Sequence, residues 1–570
     1  MRYYALACDY DGTLASHGRV DEDVVAALRR VKSSGRKLIL VTGRELNNIL
    51  QLFPHLDLFD RVVVENGALL YRPDSREEKV LGEAPNPKLV ELLHERGVSP
   101  LGVGRVIVAT REPHEKIALE TIHELGLELQ VIFNEGAVMI LPSGVNKASG
   151  LSAALSELHL SPHNAVGIGN AENDHAFLSK CECGVAVANA LPVLMERADF
   201  VTQGNDGTGV IELVDKLVDS DLVELEPSLT RHELVIGTRE DGEQIRIKPY
   251  GTNVLVAGTS GSGKSTFATG FLERLIEHDY QFCIIDPEGD YQNFQGAMVL
   301  GEVTRAPLVD EVCDFLKKSM QNAVINLLGV AIDHRPAFFK ELLPALLKLR
   351  LQIGRPHWIV IDEVHHCLPA KWDPAPIALP RELPAVVAVT VHPEQVAPDF
   401  LALVSSVVGV GDGARQAIEK FCSATGQRAP ALPGGLQKGH LLLRRADGSV
   451  QVLKASAPKE KQQRHIRKYA EGELGEDKSF YFRGPDGKLN LRAQNLGIFL
   501  QLAAGVDDET WLHHLRQGGY SQWLAEAIKD DELADEVSLI ETDASLSAKD
   551  SRERVKELIE RRYTAPAKAG

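Results

Sequence analysis

The stretch that decides the fold of the first part of the chain is Tyr4-Ala-Leu-Ala-Cys8 followed by Asp9-Tyr-Asp11-Gly12-Thr13. The apolar run predicts a buried strand, and the carboxylates follow at its carboxyl end, where open α/β sheets bind ligands. Their i, i+2 spacing lets one carboxylate attack a phosphate ester while the other handles a proton. An aspartyl-phosphate intermediate divides such a hydrolysis into two easier steps. Alone, the motif also fits a solvated acidic turn.

Three further motifs favour phosphoryl chemistry. Thr42-Gly43-Arg44 follows a predicted strand at 37–41, and its hydroxyl and backbone N–H groups can hold phosphate oxygens. Lys147 begins a later helix and supplies a cation for the charge on a transferred phosphoryl group. Gly169-Asn170-Ala-Glu-Asn173-Asp174 follows a predicted strand at 165–168 and completes an acidic pocket. Its oxygen ligands suit Mg²⁺.

Short β-rich runs alternate with helical stretches in two separate regions, which is typical of doubly wound sheets. The predicted fold class is therefore α/β, with two doubly wound domains and a small C-terminal helical module. The predicted boundaries are 1–81 and 143–222 for a first core, 82–142 for a cap inserted into it, 232–455 for a second α/β domain, 479–540 for the helical module and 541–570 for a helical, polar tail. Charged stretches near 223–231 and 454–478 predict linkers.

The order of the four motifs resembles the haloacid dehalogenase superfamily over about residues 1–220. Glu65-Asn66-Gly67-Ala68 and the inserted cap are similar to its Cof-type and sugar-phosphatase branch. The resemblance implies a set of roles: nucleophile for Asp9, general acid/base and metal contact for Asp11, phosphate binding for Thr42, Gly43 and Lys147, and metal binding for Asp9, Asn170 and Asp174.

Asn170 stands where that family usually has Asp. An amide oxygen still ligates Mg²⁺, but the lost negative charge predicts a weaker metal site, with either reduced phosphatase activity or a changed metal preference as the consequence.

A second phosphate motif lies in the middle of the chain. The apolar run at 253–257 leads into Gly258-Thr259-Ser260-Gly261-Ser262-Gly263-Lys264-Ser265-Thr266, a full match to GxxxxGK[ST]. Backbone N–H groups of such a loop cradle phosphates, the lysine reaches the β/γ-phosphates and the first hydroxyl residue, here Ser265, ligates Mg²⁺. The sequence therefore predicts an ATP site.

A second apolar run, at 358–361, ends in Asp362 and Glu363. Asp362 is expected to hold the metal through water and Glu363 to polarise the attacking water, which predicts ATP hydrolysis. With the phosphate loop, these residues look like the HerA and FtsK class of P-loop ATPases. That resemblance implies a γ-phosphate sensor at Thr390 or His392, and hexameric rings in which Arg415 is a candidate arginine finger.

Composition narrows the classes of function. The 570 residues carry 62 Lys plus Arg against 80 Asp plus Glu, a net charge of −18, so no overall positive field attracts nucleic acid, although a local basic patch stays open. Seven scattered cysteines indicate a reducing compartment, so we expect a cytoplasmic protein. The sequence has no signal-peptide pattern and no apolar run of bilayer length, which predicts no membrane partner.

Together these features predict a Mg²⁺-dependent phosphomonoesterase for a small phosphorylated substrate, fused to a domain that binds and hydrolyses ATP. Two alternatives stay open. One is a ring-forming, HerA-like DNA translocase with a phosphatase-like accessory domain. The other is a weakened phosphatase that senses a phosphorylated ligand without turning it over.

Overall fold

The computed structural model describes residues 1–563 apart from 135, 319, 372–384, 433–435, 437–438, 457, 459–473, 475–478 and 529. The chain divides into two compact units, Met1–Pro458 and Lys459–Gly570. Most of the linker predicted at 454–478 lies outside the described residues. None of the helices in the described part of the chain combines the length and apolar character that a bilayer span requires.

The first domain is built from alternating strands and helices. Its strands are β1 (Ala5–Cys8), β2 (Lys37–Val41), β3 (Arg61–Val64), β4 (Leu69–Arg72), β5 (Glu77–Val80), β6 (Gly102–Val103), β7 (Val108–Arg111), β8 (Leu129–Asn134), β9 (Ala137–Pro142), β10 (Ala165–Gly169), β11 (Cys183–Ala186) and β12 (Phe200–Val201). Its helices are α1 (Glu22–Ser33), α2 (Leu46–Leu52), α3 (Pro87–Glu95), α4 (Glu115–Glu124), α5 (Lys147–Glu157), α6 (His175–Lys180), α7 (Pro192–Met195) and α8 (Asp206–Ser220).

The core sheet of this domain has the order β12-β11-β10-β1-β2-β3-β4-β5. The central strand β1 pairs in parallel with both β2 and β10, and all its residues are buried. A parallel strand that is covered on both faces consists of an almost continuous run of apolar residues. Such strands can therefore be predicted well from the sequence. The loops that follow β1, β2 and β10 consequently emerge at one edge of the sheet.

The cap is a separate small layer between β5 and α5. Its antiparallel sheet has the order β6-β7-β9-β8, and α3 and α4 pack together beside it. Its own apolar core includes Leu89, Leu93, Val108, Ala118 and Ile140.

The second domain contains a larger, mixed sheet. Its strands are β13 (Leu234–Thr238), β14 (Gln244–Ile247), β15 (Asn253–Ala257), β16 (Phe282–Asp286), β17 (Ala297–Leu300), β18 (Asn322–Asn326), β19 (Trp358–Ile361), β20 (Val386–Thr390), β21 (Ser406–Val410), β22 (His440–Arg445) and β23 (Val450–Ala455). Its helices are α9 (Lys264–Glu277), α10 (Val309–Leu316), α11 (Arg335–Ile353), α12 (Pro398–Leu401) and α13 (Ala414–Ala424).

The strand order is β14-β13-β23-β22-β21-β15-β20-β19-β16-β18-β17. From β21 to β17 the neighbours are parallel, whereas β22, β23, β13 and β14 continue the sheet in antiparallel pairs. The α/β fold class is confirmed, but this sheet is mixed at one side because hairpins extend it. β20 lies between β15, which precedes the glycine-rich loop, and β19.

The two α/β domains contact each other at the amino ends of their strands. Asn164, just before β10, donates its side-chain N–H to the carbonyl of Gly354 at 3.3 Å. The Tyr4 hydroxyl, just before β1, donates to the carbonyl of Arg350 at 3.0 Å. Both sheets therefore point their carboxyl ends, where the predicted sites lie, away from this boundary.

The C-terminal unit has its own core. Its elements are β24 (Phe480–Phe482), β25 (Leu491–Ala493), α14 (Leu496–Gly505), α15 (Asp508–Arg516), α16 (Gly519–Trp523), α17 (Asp531–Thr542) and α18 (Ala548–Tyr563). Phe499, Trp511 and Tyr520 pack at its centre, and the indole N–H of Trp511 donates to the Ser551 hydroxyl at 3.0 Å. α18 lies in the segment predicted as a tail, yet its Ile559 is buried in this core.

Candidate active sites

Three of the predicted phosphatase residues converge in one buried cluster. The Lys147 ammonium, at the start of α5, lies 2.6 Å from Asp9 Oδ1 and 2.5 Å from Asp174 Oδ1. Asp9 follows β1 and Asp174 follows β10, so the parallel pairing of these strands places them side by side. Burial and the nearby charge of Asp174 raise the pKa of Asp9 to about 7, although Lys147 opposes the shift. The Lys147 ammonium therefore forms ion pairs with two buried carboxylates.

The loop after β10 is organised by Asp174. Its Oδ2 accepts the backbone N–H groups of Asn170 at 2.8 Å and Ala171 at 2.9 Å. The Asn170 side-chain oxygen accepts the Thr13 hydroxyl at 3.2 Å, which holds it against the loop after β1. The carboxylate and amide oxygens of Asp9 and Asn170 are of the kind that Mg²⁺ prefers. The two carboxylates of Asp9 and Asp174 exceed the single charge of Lys147, and the remaining negative charge attracts a cation.

Thr42 and Gly43 lie at the end of the neighbouring strand β2. Thr42 is buried, and its hydroxyl accepts the backbone N–H of Arg44 at 3.2 Å. Gly43 lies beneath the cap, because a Cβ added there would be 3.6 Å from Met139 Sδ on β9. The predicted phosphate-binding residues therefore lie between the core sheet and the cap.

Arg44 forms an ion pair that the sequence did not predict. Its Nε and Nη2 donate to the two carboxylate oxygens of Asp11 at 2.7 and 2.6 Å. This hydrogen bonding to Asp11 raises the pKa of Arg44 despite partial burial. The predicted general acid/base is thus held by a bidentate cation, and the only signal in the sequence was an arginine directly after Thr42-Gly43.

The glycine-rich turn of the second domain contains two positions that require glycine. Gly263 has φ +98°, which disfavours any side chain, and a Cβ on Gly258 would lie 2.4 Å from the carbonyl oxygen of Val410. The Lys264 ammonium donates to the Thr259 carbonyl at 2.9 Å. Because α9 begins at Lys264, the backbone N–H groups of its first turn lie beside the glycine-rich turn, an arrangement that favours phosphate.

Asp362 and Glu363 follow β19 as predicted. With β20 between β15 and β19, two strand spacings of about 4.8 Å place them about 10 Å from the glycine-rich turn. Glu363 has a left-handed φ of 38°, an uncommon conformation for this residue type. Its Oε2 lies 3.4 Å from Nδ1 of His365, and that nitrogen lies 3.1 Å from the Thr390 hydroxyl.

This network connects Glu363 to both predicted sensor positions. The Thr390 hydroxyl, at the end of β20, accepts the backbone N–H of His392 at 2.9 Å. Burial, with His366 and His392 nearby, lowers the pKa of His365 to about 4, so its ring is neutral at pH 7. His365 is a residue that sequence reasoning missed, because its link to Thr390 depends on the order of strands in the sheet.

Arg415, the candidate finger, lies near the start of α13. Its guanidinium donates to the Leu432 carbonyl at 2.7 Å, and about half of its side chain is exposed. The preceding Gly413 packs against Thr259 of the glycine-rich turn, since a Cβ on Gly413 would lie 2.6 Å from the Thr259 methyl carbon. A role for Arg415 toward a neighbouring subunit stays a prediction.

A third group of titratable side chains lies between the α/β domains and was not predicted. Glu182 is buried and contacts Arg2, Nδ1 of His163 at 2.7 Å and the Tyr280 hydroxyl at 3.1 Å. Burial favours the neutral carboxyl, but His163 and Arg2 outweigh it and hold the pKa of Glu182 well below its usual range.

His163 spans the domain boundary. Its Nε2 lies 2.6 Å from the His278 carbonyl, and its ring stacks on Tyr280 with centroids 3.7 Å apart. His163, Glu182 and His232 lie close enough together to hold a metal ion. However, both ring nitrogens of His163 lie within hydrogen-bonding distance of an oxygen, in the Glu182 carboxylate and the His278 carbonyl, so the geometry favours a hydrogen-bonded contact between the domains over a metal site.

Two family models match separate parts of this chain. A family model described as haloacid dehalogenase-like hydrolase matches residues 6–101 and 100–214. A second, described as the central domain of helicase HerA, matches residues 243–346.

Curated relatives align with the first domain. Phosphoglycolate phosphatase 2 of Saccharolobus solfataricus is 34% identical over 219 residues, which cover 37% of this chain and 91% of the relative. Phosphoglycolate phosphatase of Methanothermobacter thermautotrophicus is 31% identical over 219 residues, covering 37% and 96%. The crystal structure of a haloacid dehalogenase-like hydrolase from Bacteroides thetaiotaomicron is 21% identical, covers 38% of this chain and 99% of that chain, and has a TM-score of 0.34.

The chain belongs to the haloacid dehalogenase-like hydrolase family through its first domain. It joins this hydrolase domain to a HerA-like P-loop domain, as the two sets of motifs predicted.

Proposed function

We propose that the first domain hydrolyses a small phosphomonoester through an aspartyl-phosphate intermediate on Asp9. The observation that carries this proposal is the convergence of Asp9, Lys147 and Asp174 on one pocket beside Thr42. Asp9 attacks phosphorus, Lys147 balances the charge of the transferred group, and Asp11 exchanges a proton with the leaving oxygen and the attacking water. Mg²⁺, held by Asp9, Asn170, Asp174 and the Asp11 carbonyl, would neutralise phosphate charge.

We propose phosphoglycolate as the first substrate to test, because two aligned relatives bear the name phosphoglycolate phosphatase. Release of inorganic phosphate would be measured with phosphoglycolate, several sugar phosphates and nucleotides in the presence of Mg²⁺. The Asp9→Asn variant keeps the size of the side chain but removes the nucleophile. Wild type should turn over at least one ester, and Asp9→Asn should lose that turnover by several orders of magnitude. Equal rates for the two proteins would refute the proposal.

We propose that the second domain binds and hydrolyses ATP in the cytoplasm, with Lys264 and Ser265 on the phosphates and metal, Asp362 on the metal and Glu363 orienting water. Its support is the positive φ of Gly263 at the start of α9 and the acidic pair two strands away. ATP hydrolysis that is unchanged in Lys264→Ala would refute it.

The HerA match favours a second candidate, a ring-forming translocase on DNA. DNA-stimulated ATP hydrolysis and a nucleotide-dependent hexamer, measured by native mass, would support it. A monomer with ATP analogue and DNA present would exclude it.

The neutral amide of Asn170 in the loop after β10, where aspartate would add a negative charge, favours the third candidate, a sensor that binds a phosphorylated ligand without turnover. Tight binding of phosphoglycolate with no phosphate release would distinguish this function from the first.

A further inference from the structure

One buried carboxylate of the hydrolase core binds the cap directly. Glu65 is 2% exposed and lies immediately after β3. Its Oε1 accepts the backbone N–H of Arg105 at 2.9 Å, and its Oε2 accepts those of Val106 at 2.9 Å and Ile107 at 3.1 Å. These three donors form the turn between β6 and β7. A single core side chain therefore satisfies three successive N–H groups of the cap through charge-assisted hydrogen bonds.

The turn approaches Glu65 so closely that one position must lack a side chain. A Cβ on Gly104 would lie 2.6 Å from the carboxylate carbon of Glu65. Beside these hydrogen bonds, an apolar seam joins core and cap. It consists of Ala68 and Val145 from the core side, with Val106, Ile107, Met139 and Leu141 from the cap. The hydrogen bonds of Glu65 and the apolar seam therefore both attach the 105–107 turn of the cap to the core.

Glu65 is also linked to the catalytic loops. Glu65 and Asn66 both have left-handed backbones, with φ of 51° and 54°, a strained state that persists only where the surroundings impose it. The Asn66 N–H donates to the Thr42 carbonyl at 3.1 Å, and the Asn66 side-chain oxygen accepts the Asn173 amide at 3.1 Å. Two consecutive residues thus face in opposite directions, one to the cap and one to the phosphate-binding and metal loops.

We propose that Glu65 is a cap-positioning residue that latches the 105–107 turn over the pocket and thereby limits the size of the phosphorylated substrate. Met139 of the cap lies over the end of β2, since its Sδ would be 3.6 Å from a Cβ on Gly43, and we expect it to contact the substrate from the cap side. The specificity part rests on the proposed phosphatase function, whereas the latch itself does not.

The test is Glu65→Gln in the full-length chain. Glutamine keeps the size of the side chain but turns an NH₂ group toward at least one N–H donor. Losing one charge-assisted hydrogen bond should speed hydrogen exchange at residues 105–107 by about 10- to 100-fold, measured by mass spectrometry. With phosphoglycolate, kcat/KM should fall by a similar factor. With the bulkier p-nitrophenyl phosphate, kcat/KM should stay constant or rise.

Glu78→Gln is the matched control, because Glu78 contacts Arg105 only through an exposed side-chain ion pair at 3.1 Å. It should leave both exchange and substrate preference unchanged. Gly104→Ala tests the latch from the cap side without altering any residue of the core, and it should reproduce the exchange pattern of Glu65→Gln. This second variant decides the question if Glu65→Gln does not fold.

Wild-type exchange at 105–107 in both Glu65→Gln and Gly104→Ala would overturn the latch. Faster exchange with an unchanged preference between the two esters would overturn the role in specificity. If the wild-type chain hydrolyses no ester, the proposed phosphatase function fails, and the exchange measurement still decides the latch.

Discussion

The buried contact between the α/β domains gives a quantitative prediction. Glu182→Gln preserves shape but removes the negative charge that faces His163 and Arg2, whose side chains are 4% and 11% exposed. Three hydrogen bonds weaken, from Arg2, His163 and Tyr280. At about 1.5–3 kcal/mol for a bond to a charged group, the two charged bonds alone sum to about 3–6 kcal/mol.

The lower end of that sum is the expected result. Arg2 keeps a second partner in Glu226 at 3.6 Å, and glutamine still offers one acceptor. Removing one member of a buried pair typically costs about 3–5 kcal/mol. We therefore expect Glu182→Gln to lower the free energy of opening at this boundary by about 3 kcal/mol, which corresponds to an opening constant about 100-fold higher.

The assay is native-state hydrogen exchange on amides of the two strands that begin at this boundary, β10 and β16. Glu157→Gln serves as control, because Glu157 is also mostly buried and binds Arg61 and Arg72 but lies away from the boundary. It should leave protection of β16 unchanged. Wild-type protection of both strands in Glu182→Gln would refute the reasoning.

The pH dependence of this stabilisation has a definite sign. The folded pKa of Glu182 lies below its unfolded value of about 4.3, so its contribution is complete above that value and is lost as the pH falls through the folded pKa. The difference between wild type and Glu182→Gln should therefore be constant from pH 7 to about pH 5 and shrink below about pH 4. A difference that grows on acidification would contradict this assignment.

Three further predictions concern other parts of the chain. Asn170→Asp should tighten Mg²⁺ binding by about tenfold in calorimetry because it adds a charge at the metal loop; unchanged affinity would show that Asn170 does not weaken the site. Arg44→Lys should lower kcat/KM for phosphoglycolate by about tenfold, since lysine cannot bridge both oxygens of Asp11, whereas Arg29→Lys on the exposed face of α1 should have no effect. Ile559→Ala should destabilise the C-terminal unit by about 2–5 kcal/mol, seen as faster exchange in α15, and leave exchange in residues 1–458 as it was.

The sequence predicted the strands and the loops after them because both follow local rules. β2, β15 and β19 have the bounds expected from their apolar runs, and the polar residues directly after β1 and β10 converge because the strands are parallel. The contacts of Glu182 and Glu65 escaped prediction for the opposite reason. Their partners lie tens of residues away in sequence, and no periodicity or motif connects Glu182 to Tyr280. Glu65 was recognised only as part of a family motif, and its partners in the cap became visible only in three dimensions.

The contact between the amino ends of β10 and β16 affects how a released product could move between the two predicted sites. Each of these strands has five residues and spans about 16 Å, so each predicted site lies at the end of its strand that is remote from the boundary. We therefore expect a phosphate released at one predicted site to enter bulk water before it reaches the other. Any coupling between the two sites is expected to involve the domain boundary around Glu182.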